Sequence, residues 1–410
     1  MSTRDRCIAL GVLLLLLLLV SGCQRQHCPG CEDPNPIPAV GCPYQASNLT
    51  TAFENGTITN PSVLILSGGA SHGAWGAGVI TGWPTAATAP EPRPDFTIVT
   101  GISVGALQAT PAFLGTAYDP VLTKFFTTST NSDIFTSKWN FMFSNSLQSR
   151  EPLRQIIDDN LTEAVVDAVA NQANRELFVG TVNLDTSQFC PWNLSTIARR
   201  ARDAGLAGDA QKKSCYVDLY RDAVFAASGA PVIAPPVEID SNACTGGPPK
   251  KMLHVDGGVR ARVFVGDMVK AATGGGVVPT AYVVMNGKPV THPECVEDSL
   301  LPIALRTFEI MDHEALFGSL HTLMNKNPAP FNLKLSRIPD TYCLKFPGSE
   351  FDPVLMKCLY DKGQAWVKQQ PIPWETTVPT QSAAPWPANC CRPMGKCTGQ
   401  VCTAPPGCPP

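Results

Sequence analysis

Charged side chains are scarce in this chain of 410 residues, and neither sign dominates. They make up 16% of the sequence, and the formal net charge is only -3. Proteins that bind nucleic acid usually present a marked excess of Lys and Arg. The composition therefore gives no reason to propose a nucleic-acid partner. Hydrophobic residues make up 44% of the chain, which is ample material for a buried core.

A hydrophobic run long enough to span a membrane with confidence is also missing. The apolar segment 8–20 follows two arginines and suits the core of a signal peptide. It ends in Leu-Val-Ser-Gly-Cys23, which resembles the bacterial lipobox and so implies cleavage before Cys23 and lipidation of that cysteine. We therefore predict a signal peptide over 1–22 and an exported bacterial lipoprotein of the cell envelope, anchored to the membrane surface through Cys23. An ordinary secretory signal is the alternative.

Histidine is rare, with six residues, and none lies near the Cys-rich C-terminus. A zinc site in that region would lack the usual histidine ligands, so we expect no metal and no other cofactor. Of the 16 cysteines, Cys7 would leave with the signal peptide and Cys23 would be lipidated, so 14 remain. An even number in an exported chain favours disulfides, although the sequence does not give their pairing.

Proline concentrates near both ends of the chain. Residues 23–60 are rich in Cys, Pro, Asn and Thr with little periodicity, which predicts a tether. From residue 346 the chain is again rich in Pro and Cys, which predicts a C-terminal tail over 346–410. This tail either wraps on the body or forms a separate disulfide-stapled knot. The body is predicted to span residues 61–345.

Within the body, short apolar strands alternate with helical stretches, as in a parallel α/β sheet. Strands are predicted at 62–66, 96–100, 177–183, 252–255 and 281–285. Helices are predicted at 74–83, 152–171, 216–227 and 302–323. There is no internal repeat.

The segment 95–105 carries the first candidate catalytic residue. Its strand runs into Gly101-Ile-Ser103-Val-Gly105, which fits the G-x-S-x-G pattern of a nucleophile elbow. In that strand-to-helix turn the serine backbone is strained, and the flanking glycines avoid collisions with neighbouring elements. The following helix would point its positive end at Ser103, which favours negative charge developing there. Chance also produces this pattern, so it needs support from other motifs.

Two common glycine-rich binding motifs are missing after the first strand. The sequence Ser-Gly-Gly-Ala-Ser-His-Gly from Ser67 to Gly73 lacks the G-x-G-x-x-G spacing of a dinucleotide site. It also lacks the Gly-Lys-Ser/Thr of a phosphate-binding P-loop. A glycine-rich turn that opens a helix still exposes consecutive backbone N–H groups. Because a candidate nucleophile follows, these groups predict an oxyanion hole.

A third element, Asp256-Gly-Gly, follows the predicted strand 252–255. Alone it would be an ordinary turn. The glycine loop, G-x-S-x-G and Asp-Gly-Gly nevertheless occur in that order, each after a predicted strand, and Asp256 comes 153 positions after Ser103.

Together these elements resemble the patatin-like phospholipase family, over roughly residues 61–263 by motif. Segments 178–186 and 226–236 resemble the family's central strand and the approach to its catalytic aspartate. The resemblance implies an α/β fold: a three-layer αβα sandwich around a central, mostly parallel sheet. It also implies a Ser–Asp dyad that hydrolyses the acyl esters of lipids without a metal.

Carried over to this chain, the resemblance makes Ser103 the nucleophile and Asp256 the base. The backbone N–H groups of Gly68, Gly69 and Ala70 would be the oxyanion donors. The predicted function is a membrane-anchored serine lipid acyl hydrolase of the phospholipase A, lysophospholipase or esterase type. Its expected partners are a lipid or ester substrate and the membrane.

The chain departs from the family pattern within the glycine loop. Where the family commonly has a third glycine and an arginine or lysine, this chain has Ala70 and His72. Backbone donors survive an alanine if its φ angle permits. Loss of a permanent positive charge would weaken the binding of an anion or a phospholipid head group.

Two other interpretations remain open. A Ser-His-Asp esterase would place serine, acid and histidine in that order, which His292 or His313 would satisfy, and His254 faces the same side of its strand as Asp256. Alternatively, the chain is a non-catalytic surface lipoprotein that keeps the fold as a binding module.

Overall fold

The computed structural model describes residues 49, 52, 57–137, 148–231, 233–265, 278–288, 296, 298–325, 331–340, 342, 351–379 and 408. All of these lie in one compact unit, residues 41–410. The predicted signal peptide, Cys23 and most of the predicted tether lie outside the described residues. Within those residues, no helix is both long and apolar enough to span a membrane.

A large, mostly parallel sheet forms the centre of the body. Its strands are β1 (Ser62–Leu66), β2 (Ile98–Gly101), β5 (Glu176–Asn183), β6 (Gln188–Asn193), β7 (Val237–Asp240), β8 (Lys251–Asp256), β9 (Thr280–Met285) and β10 (Asn332–Arg337). Their order is β10-β9-β1-β2-β5-β8-β7, and β6 also pairs with β5. The pairs from β10 to β5 are parallel, whereas β6, β8 and β7 join by antiparallel pairing. The short strands β3 (Thr136–Ser137) and β4 (Gln148–Ser149) form a separate pair.

Helices cover both faces of this sheet. They are α1 (Gly73–Gly82), α2 (Val104–Leu114), α3 (Asp119–Thr128), α4 (Asn131–Ile134), α5 (Glu151–Asn160), α6 (Glu163–Ala170), α7 (Leu194–Leu206), α8 (Ala210–Ala227), α9 (Leu300–Asn325) and α10 (Pro353–Val367). In β1, Leu64 and Leu66 pack in the cluster that contains α1, whereas Val63 and Ile65 pack in the cluster that contains Leu316 of α9. A strand buried on both faces is apolar throughout, as β1 is. This confirms the predicted three-layer αβα sandwich.

All five predicted strands are present, with ends shifted by at most two residues. The prediction of a single helix over 152–171 is wrong, because α5 ends before Leu161 and α6 begins after it. There the Thr162 side chain accepts a hydrogen bond from the Val165 N–H group and starts a new helix. Strand β6 was not predicted, and its Pro191 is tolerated because, among the described strands, β6 pairs with β5 alone.

Helix α10 lies inside the segment 346–410, which was predicted to be a tail. It packs so closely on α1 that a Cβ atom added to Gly363 would lie 2.3 Å from the carbonyl oxygen of Trp75. Beyond it, the backbone of Glu375 pairs with Leu335 of β10. Helix α10 and Glu375, both in the predicted tail, therefore pack on the body.

Two of the expected disulfides lie within the described residues. Cys215–Cys244 joins α8 to the segment between β7 and β8, and Cys358–Cys408 joins α10 to the last residues of the chain. Each closes a loop between distant positions and so restricts the unfolded chain.

The α1–α10 contact predicts opposite effects of one substitution at two helical glycines. We expect Gly363→Ala to lower the free energy of unfolding by about 1–3 kcal/mol, because the added methyl group collides with the α1 backbone. Gly318→Ala on α9 meets nothing within 4 Å, so its better helix propensity should raise stability by up to about 1 kcal/mol. Urea denaturation followed by circular dichroism measures both. A Gly363→Ala protein as stable as the Gly318→Ala protein would contradict the close packing.

Candidate active site

Ser103 lies in a sharp turn between β2 and α2 and is half-buried. Its backbone has φ 54° and ψ -126°, a conformation that a residue other than glycine rarely adopts. Cβ atoms built on Gly101 and Gly105 would lie 2.3 Å and 2.4 Å from backbone carbonyl oxygens. Only glycine fits at both positions, as the elbow pattern requires. The Ser103 N–H group donates to the carbonyl of Ala227 at 3.0 Å, which helps to hold the strained turn.

The arrangement of strands around β5 brings Asp256 to this turn. Strand β2 pairs with residues 176–179 of β5 and β8 with residues 181–183, while β6 pairs along the opposite edge. Strands β2 and β8 therefore share one edge of β5. Because β8 runs antiparallel to β5, its last residue, Asp256, meets the carboxyl end of β2, two residues before Ser103. Sheet pairing thus closes the gap of 153 positions.

Asp256 is 5% exposed. Its carboxylate accepts a hydrogen bond from the N–H group of Gly258 at 2.7 Å, and the Ser103 side chain lies beside it. Burial raises the pKa of Asp256, while the Ser103 side chain, the Gly258 N–H group and the nearby charges of Arg262 and Arg150 lower it. Desolvation prevails, so this carboxylate holds a proton more readily than an exposed one.

One short turn supports both residues of the pair. It follows α8, where Ala227 accepts the N–H of Ser103, and Gly229 accepts the N–H of Asp256 at 3.0 Å. The buried guanidinium of Arg150 packs against this turn and donates to the carbonyls of Phe225 and Pro235 at 2.7 Å and 3.3 Å. Sequence reasoning singled out this turn by resemblance, but it missed Arg150, which lies far away in the chain.

The glycine loop lies directly beside the serine. A Cβ atom on Gly68 would lie 2.8 Å from the Cβ of Ser103, and one on Gly69 only 1.7 Å from the carbonyl oxygen of Asn286. Gly69 has φ 155° and Ala70 has φ 46°, so Ala70 adopts the left-handed conformation without being glycine. Within the described residues, the N–H groups of Gly68, Gly69 and Ala70 have no hydrogen-bond partner. They are therefore available to an oxyanion.

The loop carbonyls, in contrast, are held by a fully buried polar network. The Asn286 side chain donates to the carbonyl of Ser67 at 2.7 Å and to the Gln108 side chain at 2.9 Å. The Ser67 hydroxyl donates to the carbonyl of Gly68 at 2.9 Å, and Gln108 donates to that of Gly73 at 2.6 Å. These bonds fix the direction of the peptide groups in the loop. No local sequence pattern marks Gln108 or Asn286.

The histidines considered for a triad make other contacts. The Nδ1 atom of His254 lies 2.9 Å from the Thr181 hydroxyl, and burial lowers the pKa of His254 to about 4. The Nδ1 atom of His313 lies 2.9 Å from the carbonyl oxygen of Glu309, and His292 lies outside the described residues. In the part of the chain that the structure describes, Asp256 is the titratable residue whose pKa the Ser103 side chain shifts, and no cluster of His, Cys, Asp and Glu is placed to hold a metal ion.

Comparison with known proteins gave a match to one family model. No curated protein matches the chain. The model of a family described as patatin-like phospholipase matches residues 64–269, half of the chain. The matched region contains the glycine loop, Ser103 and Asp256. The chain therefore belongs to the patatin-like phospholipase family.

Proposed function

We propose that this protein is a serine lipid acyl hydrolase with Ser103 as the nucleophile and Asp256 as the base. Membership of the family supports lipid acyl hydrolase activity in general. The observation that carries the specific assignment is the position of the Ser103 side chain beside the Asp256 carboxylate, whose pKa it lowers, where β2 and β8 meet. A binding module would need neither this pair nor the unpaired N–H groups beside it, so the site favours an enzyme.

Acylation begins when Asp256 accepts the proton of Ser103 and the serine oxygen attacks the ester carbonyl carbon. The carbonyl oxygen becomes an oxyanion, which the N–H groups of Gly68, Gly69 and Ala70 stabilise. The C–O bond to the alcohol then breaks, and Asp256 returns the proton to the departing alcohol oxygen. The product is an acyl-serine.

Deacylation repeats these steps with water. The water oxygen attacks the acyl carbon while Asp256 takes a proton from that water. Asp256 then gives the proton to the Ser103 oxygen as the fatty acid leaves. A carboxylate is a weak base for a hydroxyl group, so much of the rate enhancement must come from stabilisation of the oxyanion. The buried polar network that fixes the loop carbonyls serves this purpose, because it orients the donors before the substrate arrives.

We also propose that the enzyme acts at a membrane surface in the cell envelope, anchored through lipidated Cys23. The lipobox-like sequence around Cys23 supports the anchor. The disulfides Cys215–Cys244 and Cys358–Cys408 support export, because such bridges persist in oxidising compartments.

Covalent trapping tests the proposed function. We expect a fluorophosphonate ester to react once with the folded protein, adding one phosphonyl group at Ser103, and not to react with protein unfolded in urea. The same preparation should hydrolyse p-nitrophenyl butyrate. Parallel assays on vesicles of phosphatidylcholine and on lysophosphatidylcholine then distinguish phospholipase, lysophospholipase and simple esterase. Labelling elsewhere than Ser103, or no hydrolysis of any of these esters, would refute the assignment.

A further inference from the structure

Arg262 lies six residues after Asp256, and its side chain reaches the glycine loop. The residue is 8% exposed. A Cβ atom built on Gly68 would lie 3.1 Å from both its Nε and Nη2 atoms, and 2.8 Å from the Cβ of Ser103. The Nε–Nη2 edge of the guanidinium and the nucleophile therefore flank the same point on the first residue of the loop.

Two contacts with α9 hold Arg262 in place, one through its guanidinium and one through its backbone. Its Nη1 atom pairs with the carboxylate of Asp312, and the backbone N–H group of Arg262 donates to the Ser319 hydroxyl at 3.1 Å. The pairing with Asp312 occupies one end of the guanidinium and leaves the Nε–Nη2 edge turned toward Gly68.

The Nε atom of Arg262 is buried and has no hydrogen-bond partner among the described residues. A buried N–H group without an acceptor is costly, and the cost is larger when the group is charged. Such a group in a native protein calls for an explanation, and an acceptor that forms only during the reaction is one. The two parallel N–H groups on this edge of a guanidinium form strong, charge-assisted hydrogen bonds to negatively charged oxygen.

We propose that Arg262 is a further catalytic residue, which donates hydrogen bonds from this edge to the oxyanion formed when Ser103 attacks an ester. The inference rests on the proposed function. The glycine loop of this chain has His72 where the family commonly has an arginine or lysine. In this proposal, Arg262 in the segment after β8 supplies the positive charge instead.

The charges in the site indicate when Arg262 acts. Burial lowers the pKa of Arg262 to about 10 and Asp256 raises it, so the side chain stays positive at neutral pH. During acylation, the negative charge moves from Asp256 to the substrate oxygen. Arg262 attracts the charge in both places, and it accelerates the reaction to the extent that it stabilises the oxyanion more strongly than the carboxylate.

Kinetics of Arg262→Gln and Arg262→Lys on p-nitrophenyl butyrate, which carries no phosphate, test the proposal. We expect Arg262→Gln to lower kcat by about 10²–10³-fold with little change in KM, as for loss of an oxyanion donor. Arg262→Lys keeps the charge without the fork and should recover part of the rate. The matched control is Arg260→Gln, which removes an exposed charge two residues away that, among the described residues, donates to the Ser187 carbonyl, and its kcat should equal that of the wild type.

Two further readouts separate catalysis from a structural role. Loss of the Arg262 charge should raise the pKa of Asp256 and move the acid limb of kcat/KM to higher pH in Arg262→Gln, but not in Arg260→Gln. A trifluoromethyl ketone, which forms a stable oxyanion adduct with the serine, should bind Arg262→Gln more weakly by the same factor as kcat/KM falls. Thermal denaturation verifies that each variant is folded.

Specific results would overturn the role of Arg262. One is an Arg262→Gln protein with the kcat and ketone affinity of the wild type. Another is a variant whose only defect is a higher KM on phosphatidylcholine vesicles, which would mean that Arg262 binds the lipid phosphate. If Arg262→Gln does not fold, wild-type kcat and ketone affinity in Arg262→Lys would be decisive against it. If the wild-type protein hydrolyses no ester, both the proposed function and this inference are refuted. If the wild type is active and Arg262→Gln is equally active, only the proposed role of Arg262 is refuted.

Discussion

Asp256→Asn is expected to abolish ester hydrolysis in a protein that remains folded. The amide keeps the shape of the side chain and can still accept the hydrogen bond of Gly258, but it cannot take the proton of Ser103. We expect kcat to fall by up to about 10⁴-fold, the upper range for loss of a general base. Initial rates on p-nitrophenyl butyrate at saturating substrate measure the effect.

The same substitution should make the protein more stable at neutral pH. Because burial raises the pKa of Asp256, the folded state binds the proton more tightly than the unfolded state. The stability linked to this group is therefore complete below the pKa of the unfolded chain and is lost as the pH rises through the higher, folded value. Asparagine avoids this loss. The Tm of Asp256→Asn should exceed that of the wild type at neutral pH, and the difference should vanish in acid.

Ser103→Ala is the companion variant for these measurements. If Ser103 and Asp256 act as one unit, Ser103→Ala should lose as much activity as Asp256→Asn, and the double variant should lose no more. Ser103→Ala keeps the buried charge, so its stability should still fall as the pH rises. Substantial activity in Asp256→Asn would refute the direct dyad and revive the histidine triad.

Much of the fold follows from local sequence, because the strands that carry the motifs are short and lead into glycine-rich turns. Strand β1 before the glycine loop and β2 before Ser103 are mainly apolar, whereas β8 mixes apolar and polar residues and is marked by the Asp-Gly-Gly at its end. Such segments can be recognised from the pattern of their own apolar residues, without knowledge of what packs against them. Thus the candidate residues could be named before their geometry was known, although the resemblance to a family was needed to assign their roles.

What could not be predicted depends on contacts between distant segments. Asn286 follows β9 and Gln108 lies in α2, and each acts on the glycine loop only because the sheet brings these elements together. The sequence around Arg262 carries no signal of its own, because its contacts with α9 and Gly68 form only in the folded protein. Helix α10 was not predicted because proline-rich sequence flanks it. Gly363 of α10 and Gly78 of α1 nevertheless allow these two helices to pack closely. Short-range patterns carry none of this information.

Gly69→Ala should nearly inactivate the enzyme by displacing the oxyanion donors. The added Cβ would lie 1.7 Å from the carbonyl oxygen of Asn286, at a φ of 155° that alanine rarely adopts. Either the loop or β9 must shift, and the hydrogen bonds between Asn286 and Ser67 would be strained. We expect kcat to fall by about 10²–10³-fold, with a smaller change in KM, because the donors act on the transition state. Steady-state kinetics on p-nitrophenyl butyrate, with Tm alongside, provide the measurement.

Ala70→Gly is the matched control, because it removes a methyl group from the adjacent residue. Ala70 has φ 46°, a left-handed conformation that costs an L-residue about 1–2 kcal/mol. Relief of that strain should at least offset the greater freedom that glycine gives the unfolded chain, about 0.5–1 kcal/mol. Ala70→Gly should therefore keep its activity and be as stable as the wild type or slightly more so. If instead both variants lose activity equally, the defect lies in the flexibility of the loop, and the contact between Gly69 and Asn286 is not what positions the donors.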